Sequence, residues 1–146
     1  MKNAVQSLVG LGLLLAATDQ AAAGDVAPRI SCAGKGGLTI EGSAGEGRKP
    51  NITVTIGEQV SEFGPDDSVA YVSFGPKDGV WTLIVDRTAP DASGYVEVYA
   101  LPKSLRFKPK DGEDYEIRFT GRAWATHLGS KSVRGTEVTC LVRKDV

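Results

Sequence analysis

The stretch Val69–Asp86, VAYVSFGPKDGVWTLIVD, decides the fold class of this chain. Both halves alternate along the chain and are rich in β-branched and aromatic residues, which is typical of half-buried strands. Gly75–Gly79 (GPKDG) between them is a turn sequence. The stretch therefore predicts an antiparallel hairpin. Ala70, Val72 and Phe74 fall on one side of its first strand, and Trp81, Leu83 and Val85 fall on one side of its second.

The same period-two pattern recurs on both sides of this hairpin, with turn sequences at intervals of roughly 8 to 12 residues. No segment beyond residue 24 carries a helical apolar period for more than about ten residues. The chain is therefore predicted to be all-β, as a single antiparallel β-barrel or β-sandwich of about eight strands. The further predicted strands are Arg29–Ala33, Leu38–Glu41, Asn51–Ile56, Tyr95–Leu101, Leu105–Lys108, Tyr115–Thr120 and Thr136–Val142.

Three intervening segments are predicted to be irregular. Glu58–Ser68 contains Gly, Pro and two adjacent aspartates, so it is expected to be an acidic connection. Leu128–Gly135 is expected to be a loop. Gly121 interrupts an alternating stretch that continues to Thr126, which predicts a β-bulge at the glycine.

The chain has two cysteines, Cys32 and Cys140, one near each end of the predicted domain. In an exported protein such a pair is expected to form one disulfide, here joining the first and last strands. Neither cysteine has a CxxC partner or a nearby histidine, so a metal pair is disfavoured. Because a bond between terminal strands is natural where those strands are neighbours, the barrel is preferred over the sandwich.

The amino terminus has the features of a secretory signal peptide. Lys2 supplies a positive charge, Ser7–Ala17 is an apolar run, and Ala21–Ala23 fits a small-residue cleavage site. The run is shorter than the roughly 20 residues of a membrane-spanning helix. We therefore expect residues 1–23 to be removed, residues 24–146 to form one domain, and the protein to be periplasmic or secreted without a membrane anchor.

Charge is unevenly distributed along the predicted domain. Residues 25–100 carry 11 acidic and 6 basic side chains, whereas residues 101–146 carry 10 basic and 6 acidic ones. The near balance of the whole argues against nucleic-acid binding, which favours a basic excess. The basic half has two interpretations, an ordinary solvated surface or a patch for an acidic partner. Such a patch would contain Lys103, Arg106, Lys108, Lys110, Arg118 and Arg122.

Signatures of catalysis are missing from the sequence. His127 is the one histidine, so neither a two-histidine metal site nor an HExxH motif is available. A Ser-His-Asp arrangement would need His127 as its base, and no GxSxG motif accompanies it. The glycines of Gly34–Gly37 lack the spacing of a phosphate-binding loop. We expect no enzymatic activity, no metal and no cofactor.

Two tyrosines are candidates for a recognition surface. Tyr95 and Tyr99 alternate with Val96 and Val98, so they lie on the outer face if the valines face the core, and in the core if the register is reversed. Exposed tyrosine together with Arg and Lys is typical of protein-binding surfaces. The candidate binding residues are Ser93, Tyr95, Tyr99, Arg106, Lys108 and Arg118.

The segment Ala92-Ser93-Gly94-Tyr95 resembles the Ser-Gly loop of the periplasmic lysozyme-inhibitor families. The resemblance covers four residues, and Tyr95 follows Gly94 directly where those families tend to separate them. Members of those families are exported, disulfide-linked β-barrels that place this loop in the active cleft of an enzyme. The resemblance implies that Ser93 enters the cleft of a lysozyme or another cell-wall hydrolase.

Three functions are therefore open from the sequence. The first is a non-catalytic exported domain that binds a partner protein and inhibits a cell-wall-active enzyme, as an inhibitor or an immunity-type protein. The second is a small-molecule-binding periplasmic barrel, which predicts a cavity lined by Trp81 or Trp124. The third is a secreted hydrolase that uses His127 beside a serine and a carboxylate.

Overall fold

The computed structural model describes residues 26–45, 48–88, 94–128 and 131–145. These residues form ten β-strands and one short turn of 3-10 helix. The predicted signal peptide lies outside the described residues. The strands are β1 (Arg29–Gly34), β2 (Leu38–Ser43), β3 (Asn51–Ile56), β4 (Gln59–Phe63), β5 (Ser68–Gly75), β6 (Val80–Arg87), β7 (Tyr95–Ala100), β8 (Arg106–Pro109), β9 (Tyr115–Leu128) and β10 (Lys131–Lys144).

All the strands belong to one antiparallel sheet in the order β4-β3-β2-β1-β10-β9-β7-β6-β5. The eighth strand lies off this path and pairs with the first part of β9, while β7 pairs with the second part. The sheet curls into a nearly closed barrel whose two edge strands, β4 and β5, are consecutive in the chain. Of the two predicted architectures, the barrel is thus confirmed.

The hairpin predicted from Val69–Asp86 is confirmed as β5 and β6. Its strands pair from Ser68 opposite Arg87 to Gly75 opposite Val80, and Gly79 adopts the positive φ of 67° that the turn requires. The side of β6 that carries Trp81, Leu83 and Val85 is buried, whereas the side of β5 that carries Ala70, Val72 and Phe74 is only partly covered because β5 is an edge strand.

The barrel interior is filled by side chains from nearly every strand. Trp81 lies 2% exposed in this core and packs against Phe119, with ring centroids 5.0 Å apart. Burial of such aromatic and branched residues supplies most of the free energy that folds a domain of this size. The largest fully buried side chains are Phe63, Leu38, Ile40, Ile52, Leu83, Ile117, Val54, Val85, Val96, Val98 and Val138.

Three local predictions need correction. Glu58–Ser68 is not wholly irregular, because Gln59–Phe63 forms β4 and buries Ser61 and Phe63. The predicted loop Leu128–Gly135 is mostly strand, since β9 ends at Leu128 and β10 begins at Lys131. Along β9 and β10 the pairing is continuous through Gly121, and a register shift occurs instead at Gly135, which has a φ of 63°.

Gly121 has a different role from the predicted bulge. A Cβ at this position would lie 2.5 Å from the carbonyl oxygen of Tyr99. The missing side chain lets β7 approach β9 at the point where the pairing of β9 passes from β8 to β7.

The predicted disulfide between the first and last strands is confirmed. Cys32 and Cys140 lie directly opposite each other in the pairing of β1 with β10, and their Cα atoms are 4.1 Å apart. Both side chains are buried on the inner face of the sheet. The bond therefore holds a register that backbone hydrogen bonds also define.

Arg87 spans the seam where the barrel does not close. It extends from the end of β6 to β4, where its Nη2 donates to Ser61 Oγ at 2.8 Å and to the carbonyl of Glu62. Its guanidinium also lies 4.5 Å above the centre of the Phe63 ring. One side chain thus provides hydrogen bonds and a cation–π contact between strands that do not pair.

Candidate binding surface

The strand β7 presents its tyrosines outward. Val96 and Val98 are fully buried, whereas Tyr95 and Tyr99 on the opposite face are partly exposed. The register in which the valines face the core is therefore the observed one. This places both tyrosines where a partner could contact them.

Tyr99 stacks on Trp124 of β9 at a centroid distance of 5.2 Å. Trp124 in turn covers Gly135 of β10, where an added Cβ would lie 3.3 Å from the tryptophan ring. The glycine thus leaves room for the indole to lie close to the backbone of β10. The result is a rigid, half-exposed aromatic pair on the outer face of the barrel.

Three predicted basic residues meet at the pairing of β8 with β9. Arg106 lies directly opposite Arg118, and Lys108 lies opposite Glu116. All three basic side chains are exposed. Like charges placed opposite each other repel, and here Arg106 donates to the carbonyls of Lys103 and Leu105 while Arg118 pairs with Glu116.

Glu116 joins two of the arginines. Arg118 Nε donates to Glu116 Oε1 at 2.7 Å, and Arg143 Nε of β10 donates to Glu116 Oε2 at 3.2 Å. The hydrogen bond from Arg118 is the main cause that lowers the pKa of Glu116 below its usual range, and Arg143 adds to it. The carboxylate therefore holds both guanidinium groups in place at neutral pH.

The aromatic and basic groups lie along the same strand. Arg118, Thr120, Arg122 and Trp124 follow one another on the outer face of β9 at alternate positions. Tyr99 lies opposite Arg122, whose Nη1 donates to the carbonyl of Gly135 at 2.9 Å. We call the surface formed by Tyr99, Trp124, Arg122, Arg118 and Arg106 the β7–β9 face.

Other predicted site residues lie beside this face or outside the described residues. Tyr95 lies at the far end of β7, where its amide donates to Thr126 Oγ1 at 3.2 Å. Lys110 forms an ion pair with Asp145 at 3.3 Å, and Lys103 is exposed in a turn with a φ of 66°. Ser93 and the side chain of His127 lie outside the described residues, so their predicted roles stay predictions.

Two features of the surface were missed from the sequence. A groove of about 650 Å³ lies over β10, β1, β2 and β3, and Arg29 and Arg143 line one side of it. A smaller cavity of about 320 Å³ is lined by residues that include Phe74, Tyr115 and Lys144. Both depend on residues from strands far apart in the chain, and only the alternation of each strand hinted at which side chains face outward.

Neither tryptophan lines either of these two cavities, so the cavity lined by Trp81 or Trp124 that a small-molecule carrier would have stays a prediction. Within the described ranges, no three His, Cys, Asp or Glu side chains lie close enough to hold a metal ion. Those ranges also contain no helix with the length and apolar character needed to cross a membrane.

Comparison with protein-family models, with curated proteins and with solved structures finds no match to this chain.

Proposed function

We propose that this protein is a non-catalytic binding domain that uses the β7–β9 face to hold an acidic site on a partner protein, and that the partner is a cell-wall-active enzyme such as a lysozyme. The observation that carries the proposal is the stacked pair of Tyr99 and Trp124 beside the row of arginines on β9. Tyr, Trp and Arg are the residues that most often contribute strongly to binding between proteins.

The rigidity of the face supports this use. The aromatic rings stack on each other, and Arg122 and Arg118 are both held by hydrogen bonds. Side chains that are already ordered lose less conformational entropy when a partner binds. The face can therefore contribute affinity without first reorganising.

The choice of partner class rests on charge and on the resemblance of Ala92–Tyr95 to lysozyme inhibitors. The clefts of glycoside hydrolases contain a pair of carboxyl groups. A surface with Arg106, Lys108 and Arg118 at one end is complementary to such a cleft. The predicted export of the chain would bring it to the compartment in which these enzymes act.

The test is inhibition of a panel of lysozymes on a suspension of bacterial cell wall, with oxidised protein exported to and purified from the periplasm of an expression host. We expect stoichiometric inhibition of at least one enzyme, weakened by added salt. Trp124→Ala is expected to raise the inhibition constant at least about tenfold, since such anchors are worth about 2 kcal/mol or more.

The matched control is Val60→Ala, which shortens a 60% exposed apolar side chain on the distant strand β4. It should leave inhibition within about twofold, because surface changes away from a contact have small effects. Lack of inhibition together with lack of binding to any enzyme of the panel would contradict the proposal. So would cell-wall hydrolysis by the protein itself that disappears in His127→Ala.

A small-molecule-binding function is the second candidate, and the 320 Å³ cavity favours it. Phe74, Phe107 and Tyr115 form an aromatic cluster beside this cavity with centroid distances of 5.5 to 5.9 Å. Lys144 supplies a cation at its edge. Binding of the aromatic anion anilinonaphthalene sulfonate, measured by its fluorescence and weakened by Lys144→Gln, would support this candidate; absence of binding would remove it.

A further inference from the structure

The groove over β1 has a regular structure that follows from the register of four neighbouring strands. One row of outward residues crosses four neighbouring strands, and each member lies directly opposite the next. The row consists of Arg143 of β10, Arg29 of β1, Ser43 of β2 and Asn51 of β3. With neighbouring strands about 4.8 Å apart, this row is about 14 Å long. It has a cationic end and a neutral hydrogen-bonding end.

The cationic end contains two arginines whose positive charges are only partly compensated. Arg29 and Arg143 are a direct cross-strand pair, an arrangement that is unfavourable for like charges. Arg143 shares the carboxylate of Glu116 with Arg118. The guanidinium of Arg29 forms no ion pair or hydrogen bond within the described ranges. The pair therefore offers donors for one further anion.

A second row, two residues along each strand, limits what can bind beside that anion. Leu141 of β10 lies next to Arg143 on the outer face, and Glu41 of β2 lies next to Ser43, each about 7 Å away along its strand. Leu141 provides an apolar contact near the arginines. Glu41 repels a second negative charge at the other end of the groove.

The size of the groove, about 650 Å³, is much larger than one inorganic anion needs. The position of its cationic end next to Glu116 makes it continuous with Arg118 of the β7–β9 face. A ligand that fills it needs a carboxylate, a neighbouring apolar group and hydrogen-bonding groups over about 14 Å, estimated from strand spacing. An extended peptide with an acidic side chain has these groups.

We infer that the groove over β10, β1, β2 and β3 binds an extended acidic peptide segment, with one carboxylate between Arg29 and Arg143, and that the partner protein supplies this segment. The identification of the segment with that partner rests on the proposed function. The peptide-binding property of the groove does not, so the two can fail separately.

The test is titration of the ¹⁵N-labelled, oxidised protein with a blocked peptide that carries one glutamate and, two residues from it, one leucine among serines, so that the carboxylate and the apolar side chain share one face of the extended chain. We expect the backbone amide signals of Ser31, Ser43 and Asn51 to shift. Arg29→Gln should raise the dissociation constant of the peptide at least about tenfold, because charge-assisted hydrogen bonds to arginine are strong. Arg29→Lys keeps the charge but loses the two parallel N–H donors of the guanidinium, so it should raise the dissociation constant by a smaller factor.

The control is Lys35→Gln, which removes the same charge from an exposed turn outside the groove. It should change the dissociation constant less than twofold. Equal effects of the two Gln variants, an absence of shifts in the groove, or inorganic phosphate binding as tightly as the peptide at equal ionic strength would each overturn the inference.

The partner-binding experiment separates the two proposals. Enzyme inhibition that depends on Trp124 but not on Arg29 would leave the proposed function standing and remove the groove from the interface. Peptide binding that depends on Arg29, in a protein that inhibits no enzyme, would support the groove and contradict the proposed function.

Discussion

At the scale of single residues, Glu116 organises the charged part of the surface. Its side chain is 13% exposed and accepts hydrogen bonds from Arg118 and Arg143, which belong to different strands. The carboxylate thereby offsets the repulsion between two cations and links the β7–β9 face to the groove. Losing this charge should affect both stability and binding.

Glu116 should contribute to stability above its unfolded-state pKa and lose that contribution on acidification. Because Arg118 and Arg143 hold the pKa of Glu116 below its usual value, the folded protein binds a proton at this group less readily than the unfolded chain does. The contribution is complete above the unfolded pKa of about 4.3 and disappears as the pH falls through the lower folded pKa. The free energy of unfolding of Glu116→Gln should therefore fall less between pH 7 and pH 2 than that of the unmodified protein.

The measurement is the midpoint of urea unfolding as a function of pH for both proteins. Glu113→Gln is the control, because Glu113 is 87% exposed and pairs only weakly with Lys144 at 3.4 Å. Some acid sensitivity should remain in Glu116→Gln, since the pKa of Asp67 is also lowered, mainly by the hydroxyl of Ser68. A pH profile of Glu116→Gln that matches the unmodified protein would contradict this role.

At the scale of strands, the seam between β4 and β5 is where the sheet does not close by strand pairing. These edge strands do not pair with each other, and the turn Gly64–Asp67 connects them. Arg87 compensates by bonding to Ser61 and Glu62 of β4 from the end of β6. Open strand edges invite pairing with other chains, so a side chain that draws the edges together also limits aggregation.

Arg87→Ala should loosen this seam and destabilise the protein by about 1.5–3 kcal/mol, the range for hydrogen bonds that involve a charged group. The measurements are chemical unfolding and hydrogen exchange, with the largest loss of protection expected in Gln59–Phe63. Arg134→Ala removes an exposed arginine and serves as the control. Equal stability of the two variants would show that Arg87 does not hold the seam.

At the scale of the whole molecule, the two ends of the domain are joined twice. Backbone pairing between β1 and β10 runs from Arg29 opposite Arg143 to Gly34 opposite Val138, and the Cys32–Cys140 disulfide crosses the same pair of strands. The bond closes a loop with a sequence separation of 108 residues, which restricts the unfolded chain far more than the folded one.

Reduction of the disulfide should therefore lower stability by up to about 4–5 kcal/mol, the chain-entropy limit for a loop of this length. The measurement is thermal unfolding with and without dithiothreitol. The double variant Cys32→Ala/Cys140→Ala should match the reduced protein and show no further response to dithiothreitol. An unfolding temperature that is the same in oxidised and reduced protein would contradict the prediction.

The sequence by itself determined the fold class, the hairpin β5–β6 and the disulfide. Alternation with a period of two places side chains on opposite faces of a strand, so the residues that share a face of β6 could be predicted from local order alone. The strand β4 was not predicted because its inner face carries the polar Ser61 beside Phe63, so its alternation has only one apolar member. The surrounding Gly, Pro and Asp residues indicated a turn instead.

Only the tertiary structure decided which outward side chains lie together. Arg29 and Arg143 are far apart in the chain and become neighbours only because β1 pairs with β10. Tyr99 and Trp124 stack only because β7 joins β9 beyond Gly121, with Gly135 leaving room for the ring. Strand order and register arise from long-range pairing, which a local pattern does not encode.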